Sequence, residues 1–292
     1  MKLRHLTDYL KERFPPVNMA LFAILFGTVY SIVKLHNPTG AFGWHEGLGI
    51  IAVISFFFRL RVFDEIKDFE IDRINHSDRV LQSGKIDLRT LIIITSLGFV
   101  IELAWSLVMG QYALMGYAAA FLFSLLMRYE FFVSDWLTKR LPVYALTHML
   151  IMPLIIAWIW FAYADSFLLE YFLLAALSVL AGFSFEIARK IHKPQSEEET
   201  IDSYSKIFGL KGAMSLMLLL LLLGLGCQFY LLQLIGASMF SYLIISLLYL
   251  AILGFYLRQY FSASEKKLRK LELGVSLFML ISYVSIIIEA YL

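Results

Sequence analysis

Cysteine is nearly absent: Cys227 is the single thiol in 292 residues, which excludes an internal disulfide and a thiolate metal cluster. Lying in a Leu-rich segment, it reads as a small apolar filler. Charge is scarce as well, at 16% of the residues against about 25% in an ordinary soluble domain. The net charge of +2 is too small to point to nucleic acid, and no nucleic-acid partner is expected. The first sixteen residues show neither an apolar core nor a small-residue cleavage site, so no signal peptide is read there. What dominates is apolar surface, with 60% hydrophobic residues, 16% aromatics and a mean hydropathy of +0.75. These residues come in runs long enough to cross a bilayer.

Apolar runs cover about 17–34, 43–60, 90–108, 112–127, 143–164, 167–188, 212–233, 236–257 and 271–291. Each is long enough to cross about 30 Å of hydrocarbon as a helix, the element that satisfies its own backbone in lipid. The expected fold class is therefore all-α: a polytopic membrane protein of about nine transmembrane helices in one bundle, with active-site loops on the cytoplasmic face. Every Lys and Arg except Lys34 falls before span one or in a connection on that same side. By the positive-inside rule the N-terminus and the large loops are cytoplasmic, in an inner or plasma membrane. Residues 1–16 are expected to lie along the interface, with Leu3, Leu6, Tyr9, Leu10 and Phe14 at helical spacing. Residues 17–292 form one transmembrane domain. The sequence leaves the oligomeric state open.

Charge of both signs concentrates in RVFDEIKDFEIDRINHSDR, residues 61–79. On a continuing helix Asp64, Asp68 and Asp72 fall at about 0°, 40° and 80°, with Glu65 at about 100°. Like charges so placed repel, and Arg61, Lys67 and Arg73 are at hand to compensate, as in an ordinary solvated helix end. Carboxylates within a turn of the lipid boundary are costly, however, and more often functional. Hard oxygen donors in such an array suit Mg²⁺, which shares its shell with water and substrate phosphates. The downstream Gln82-Ser83-Gly84-Lys85 turn supplies a cationic loop for a phosphate.

These residues resemble the first motif of the UbiA-type intramembrane prenyltransferases, N-D-x-x-D-x-x-x-D followed by Arg and an R-P-L-x-x-G-like turn. Here the pattern stands as Asp64-Glu65, Asp68, Asp72-Arg73, then Asn75 and Arg79-Val80-Leu81-Gln82-Ser83-Gly84. It departs from the family with Asp at 64, Glu at 65 and Val at 80. The family's second acidic motif, D-x-x-x-D at the end of span six, is matched by Glu186 and by Lys190 in place of the second Asp. Asp202 to Gly209 resembles the polar segment before span seven, and Lys139-Arg140 the loop after span four.

The resemblance implies an isoprenyl diphosphate donor whose tail lies in the bilayer, a Mg²⁺ cofactor and an unknown acceptor. It implies Asp64, Glu65, Asp68, Asp72 and Glu186 as metal-binding, with Asp68, Asp72 and Glu186 central to catalysis. Arg73, Arg79, Lys139, Arg140 and Lys190 would bind the diphosphate, and Asn18, Tyr129 and Tyr204 would contact substrate. Lys190 has three readings: a cation in place of a second Mg²⁺, a donor of different phosphate chemistry, or a site no longer catalytic. The alternatives are phosphoribosyl transfer to a polyprenyl phosphate within the same superfamily, and a non-catalytic or transport membrane protein. His148 is expected to hydrogen-bond a neighbouring helix, Glu197–Glu199 to be solvated, Glu102 and Glu289 to snorkel, and the Leu-rich start of span seven to face lipid.

Overall fold

The computed structural model describes residues 3–37, 42–197, 202–261 and 265–292, and among these every regular element is helical. A short amphipathic helix, α1 (Leu3–Arg13), precedes α2 (Pro16–His36) and the long α3 (Trp44–Asn75). After them come α4 (Leu88–Met109), α5 (Gln111–Arg128), a one-turn α6 (Ser134–Leu137), α7 (Leu141–Met149) and α8 (Ile151–Trp160). The last four are α9 (Leu169–Arg189), α10 (Tyr204–Leu234), α11 (Met239–Phe261) and α12 (Glu265–Tyr291). Helix thus covers all nine expected spans, with α7 and α8 together forming the fifth. Seven of the nine are long and apolar enough to cross a membrane by length and composition alone. The other two are α3, which carries Glu46 and Arg59 in its apolar half, and α5, 18 residues ending in Arg128. The chain is an integral membrane protein.

Consecutive spanning helices pack as neighbours, and α12 packs against both α2 and α9, which closes the bundle into a ring. The break between α7 and α8 follows from Pro153, which has no N–H for the Met149 carbonyl. A second break, at Gly209 (φ 70°, ψ 159°), sets the polar turn Tyr204–Phe208 apart from the spanning part of α10. Close approach of α5 and α8 requires Gly116, where a Cβ would meet the Trp158 Cα at 2.8 Å. The Leu-rich start of span seven is two-faced: Met214, Met217, Leu218 and Leu221 are buried, while Leu219, Leu222 and Leu223 are exposed. The lipid-facing expectation therefore holds for one face of α10 only.

Three acidic residues expected in water or at the interface are held by protein donors, and one of them, Glu102, is buried. Glu102 is fully buried and accepts from Arg59, Tyr117 and Ser55, so it does not snorkel. Its partner Arg59, 2% exposed, lies in α3 and not in the polar connection. Glu289 accepts from the Ser238 N–H (2.8 Å) and from the Ser238 and Ser241 hydroxyls, tying the end of α12 to the start of α11. Glu197 accepts from the Ser203 and Ser205 hydroxyls at the start of α10, while Glu198 and Glu199 lie outside the described residues. At Glu102 the paired carboxylate avoids the desolvation cost of a bare one.

Candidate active site

Beyond the apolar half of α3, the helix runs on through the acidic stretch to Asn75 without a break. The loop that follows folds back over it: Val80, Leu81 and Ile86 are buried with Tyr9 and Phe14 of the N-terminal segment and with Phe58 and Val62 of α3. Val80, which stands where the family motif has Pro, uses the N–H that Pro would lack, donating to Glu12 Oε2 at 3.0 Å. This turn sends the Arg79 guanidinium back onto the Asp72 carboxylate.

The acidic face divides among three sets of partners. On one flank Glu65, 1% exposed, accepts from Arg13 Nε at 2.7 Å and from Arg61 Nη2 at 2.8 Å. It is committed to two guanidiniums, and the burial of Tyr9, with Glu65 beside it, raises that phenol above its ordinary range. Asp72 takes Arg79 and, at 3.7 Å, Arg13 Nη2. On the opposite flank Lys67 donates to the Tyr144 hydroxyl at 2.7 Å and pairs with Glu130 at 3.5 Å. Between the flanks stand Asp64 and Asp68.

The electrostatics of that middle pair differ from those of its neighbours. The partly desolvated setting of Asp64, whose side chain is 52% exposed, raises it above the usual carboxylate range; Lys67 opposes this, Glu65 adds to it, and Arg61 Nη1 stands 3.9 Å away. Burial also raises Asp68, again against Lys67, with Asp64, Asp72 and Glu130 adding repulsion. At Lys67 burial works against the ammonium, but the Tyr144 hydrogen bond and the two aspartates outweigh it and keep its pKa high. Asp64 and Asp68 are thus carboxylates placed where further positive charge is favoured.

Glu130 reaches Lys67 through an uncommon backbone. Glu130, Phe131 and Phe132 have φ of 48°, 55° and 60°, three consecutive left-handed residues with no glycine among them. Such a turn is held against a steric cost of about 1–2 kcal/mol per residue, and strain of this kind tends to gather at functional sites. The Ser134 hydroxyl donates to Glu130 and fixes the carboxylate. Tyr144 is stacked on His148, with ring centroids 4.1 Å apart, and the His148 ring bonds the Tyr144 carbonyl at 2.8 Å. His148 therefore braces the tyrosine within its own helix, α7, and not a neighbouring one as expected.

The second motif is self-paired. Glu186 meets Arg189 at 2.7 Å and Lys190 at 2.9 Å. Tyr204, fully buried, stacks edge-on with Phe183, and its N–H donates to the Lys190 carbonyl at 3.1 Å. Helix α7 joins the two halves, since Tyr144 meets Lys67 of α3 while α7 packs on α9.

Several expected residues lie apart from the aspartates. Arg73 pairs with Glu70 at 2.9 Å, with both side chains mostly exposed. Arg140 donates to the Trp136 carbonyl at 2.8 Å and lies over its ring, and Lys139 is exposed beside it. Tyr129 is 54% exposed and stacks on Phe132. Asn18 is half-buried in the first turn of α2, its N–H bonded to the Pro15 carbonyl. In their place the structure supplies Lys67, Glu130, Tyr144 and Arg13. Lys67 was visible in the sequence only as a compensating base; the other three carried no signal of their role.

Among the described residues no group of three or more His, Cys, Asp or Glu is placed to hold a metal ion. The donors that remain, Asp64 and Asp68, fit a Mg²⁺ held by one or two carboxylates and completed by water and phosphate oxygens, not a full protein cage. A cavity of about 780 Å³ lies at the opposite end of the bundle, between Trp44, His45, Glu46, Tyr163 and Asp165, and contains none of these residues.

The model of the UbiA prenyltransferase family matches residues 20–281. No curated protein matches the chain. Among solved structures the chain is similar to that of digeranylgeranylglyceryl phosphate synthase, with a TM-score of 0.70 and 19% identity over 99% of both chains. It is also similar to the apo structure of a UbiA homologue from Aeropyrum pernix K1 (TM-score 0.65, 18% identity, 88% of this chain and 95% of that one). A UbiA homologue from Archaeoglobus fulgidus bound to GPP and Mg²⁺ gives a TM-score of 0.54 at 14% identity, over 96% of this chain and 99% of that one. At these identities the likeness shows a shared fold. With the family model spanning most of the chain and the aspartate-bearing helix inside it, this protein belongs to the UbiA prenyltransferase family.

Proposed function

We propose that the protein transfers an isoprenyl group from an allylic diphosphate to an acceptor at the basic end of the bundle, which the charge distribution assigns to the cytoplasm. The observation that carries this reading is geometric: Asp64 and Asp68 stand side by side on one face of α3, flanked by Lys67 on one side and the Arg79–Asp72 pair on the other. The solved UbiA homologues with GPP or DMAPP and Mg²⁺ support the donor class.

Asp64 and Asp68 would hold the Mg²⁺, which when bound supplies positive charge for the departing diphosphate. Lys67, kept protonated and oriented by Tyr144 and Glu130, offers a fixed ammonium to the same oxygens. Arg79 does likewise from the loop, and its pairing with Asp72 fixes its direction. On the far side Lys190 and Arg189 present cations in place of a second metal, with Glu186 neutralised between them. The prenyl tail extends among the apolar spans, away from water that would capture the allylic cation.

The test is Mg²⁺-dependent release of diphosphate from geranyl or dimethylallyl diphosphate by the purified protein, with wild-type thermal stability as the folding control. Asp64→Ala and Asp68→Ala should each lower the rate at least about 100-fold. Full activity in both variants would overturn the assignment of the aspartates.

A further inference from the structure

A second polar site lies on the other side of α3. Arg59 and Ile66 sit at about 220° and 200° from Asp64 around the helix axis. They line a cleft of about 390 Å³ between α3, α4 and α5, together with Phe63, Thr95, Phe121 and Arg128. The cleft opens outward, where the neighbouring Ile92 is 43% exposed, so in a bilayer its mouth faces lipid.

Its polar atoms are incompletely used. Arg59 spends Nη1 on Glu102 and Tyr117, while its Nε and Nη2, both buried, have no hydrogen-bond partner among the described residues. Rings of Phe56 and Phe121 hold the guanidinium at 4.4 and 4.8 Å. Thr95 is 9% exposed, and its hydroxyl also has no partner. Arg128, at the end of α5, lies over the Phe63 ring at 5.0 Å. Buried donors of this kind are seldom left unmade in native proteins, and the two side chains that carry them, Arg59 and Thr95, both line this apolar-walled cleft.

We propose that this cleft binds the phosphate headgroup of an anionic phospholipid from the leaflet at the basic end of the bundle. Glu102 neutralises Arg59, so the net charge of the cleft is that of Arg128, which matches a singly charged phosphodiester. The free Arg59 N–H groups and the Thr95 hydroxyl would donate to its oxygens, and the apolar walls would carry the start of the acyl chains. The site lies outside the donor chemistry of the Asp64–Asp68 face and stands whether or not that reading holds.

Native mass spectrometry of the detergent-purified protein with phosphatidylglycerol, phosphatidylcholine or inorganic phosphate tests it. Phosphatidylglycerol should be retained about tenfold more strongly than phosphatidylcholine, a difference of about 1.4 kcal/mol, and equimolar phosphate should not displace it. Arg128→Ala and Thr95→Val should each weaken that retention about tenfold, while melting in phosphatidylcholine stays at the wild-type temperature. If Arg128→Ala does not fold, the near-isosteric Thr95→Val decides alone. Equal retention of the two lipids, or wild-type phosphatidylglycerol retention in the folded variants, would overturn the proposal. Displacement by phosphate would overturn the lipid as the source of the anion.

Discussion

Arg59 and Glu102 form an ion pair between α3 and α4 in which both side chains are buried. Gly98 makes room for it, since a Cβ there would clash with the Ser55 side chain that also donates to Glu102. Removing one partner leaves a buried charge unpaired. Glu102→Gln should therefore cost about 3–5 kcal/mol, read as a large drop in melting temperature in detergent. Changing both residues at once, to Met at 59 and Leu at 102, should recover most of it. Equal melting of the Glu102→Gln variant and wild type would mean the pair carries no stability.

Lys67 depends on Tyr144 and Glu130 for its direction, so changes at the three should form a graded series. Lys67→Met should lower kcat/KM for the allylic diphosphate by about 100-fold. Tyr144→Phe and Glu130→Gln should each lower it about tenfold, mainly through KM, because the ammonium remains but is less well aimed. A kcat effect in Tyr144→Phe as large as that of Lys67→Met would show that Tyr144 acts directly on the reacting group.

Partial desolvation, with neighbouring carboxylates, holds Asp64 and Asp68 above the ordinary carboxylate range. The native state then binds their protons more tightly than the unfolded chain does. This contribution to stability is present in acid and is lost as the pH rises through the folded-state values. Without Mg²⁺, melting temperature should fall from acid towards neutral pH, and Asp64→Asn with Asp68→Asn should flatten that fall. An unchanged slope in the double variant would assign the pH dependence to other groups.

Lys190→Asp would place a carboxylate beside Glu186 and free Glu186 of one of its two cations. Activity should then rise more steeply with Mg²⁺, as expected if a second ion is admitted. A superimposable titration curve would show that Lys190 does not stand in for a metal.

Helix positions and the acidic motif were legible because both rest on local pattern: apolar length for the spans, and 100° spacing for Asp64, Asp68 and Asp72. Which carboxylate stays available was not legible, because it depends on partners far along the chain. Glu65 and Asp72 are about 20° apart on the helix, and Arg13, more than fifty residues earlier, reaches both. Glu130 was hidden because a left-handed turn built of Glu-Phe-Phe leaves no glycine to mark it. Arg59 and Glu102 each look like ordinary boundary charges until α3 and α4 are laid side by side. The altered second motif was visible as a substitution, but its closed pairing among Glu186, Arg189 and Lys190 required the fold.

The first helix supplies Glu12 to the Val80 N–H and Arg13 to Glu65 and Asp72. It therefore acts as a clasp, one residue gripping the loop that carries Arg79 and the next gripping the helix that carries the aspartates. Any tag, truncation or contact that shifts these residues also shifts the spacing between the site's cations and its carboxylates. An alteration at the edge of the sequence would then register as altered chemistry in its centre.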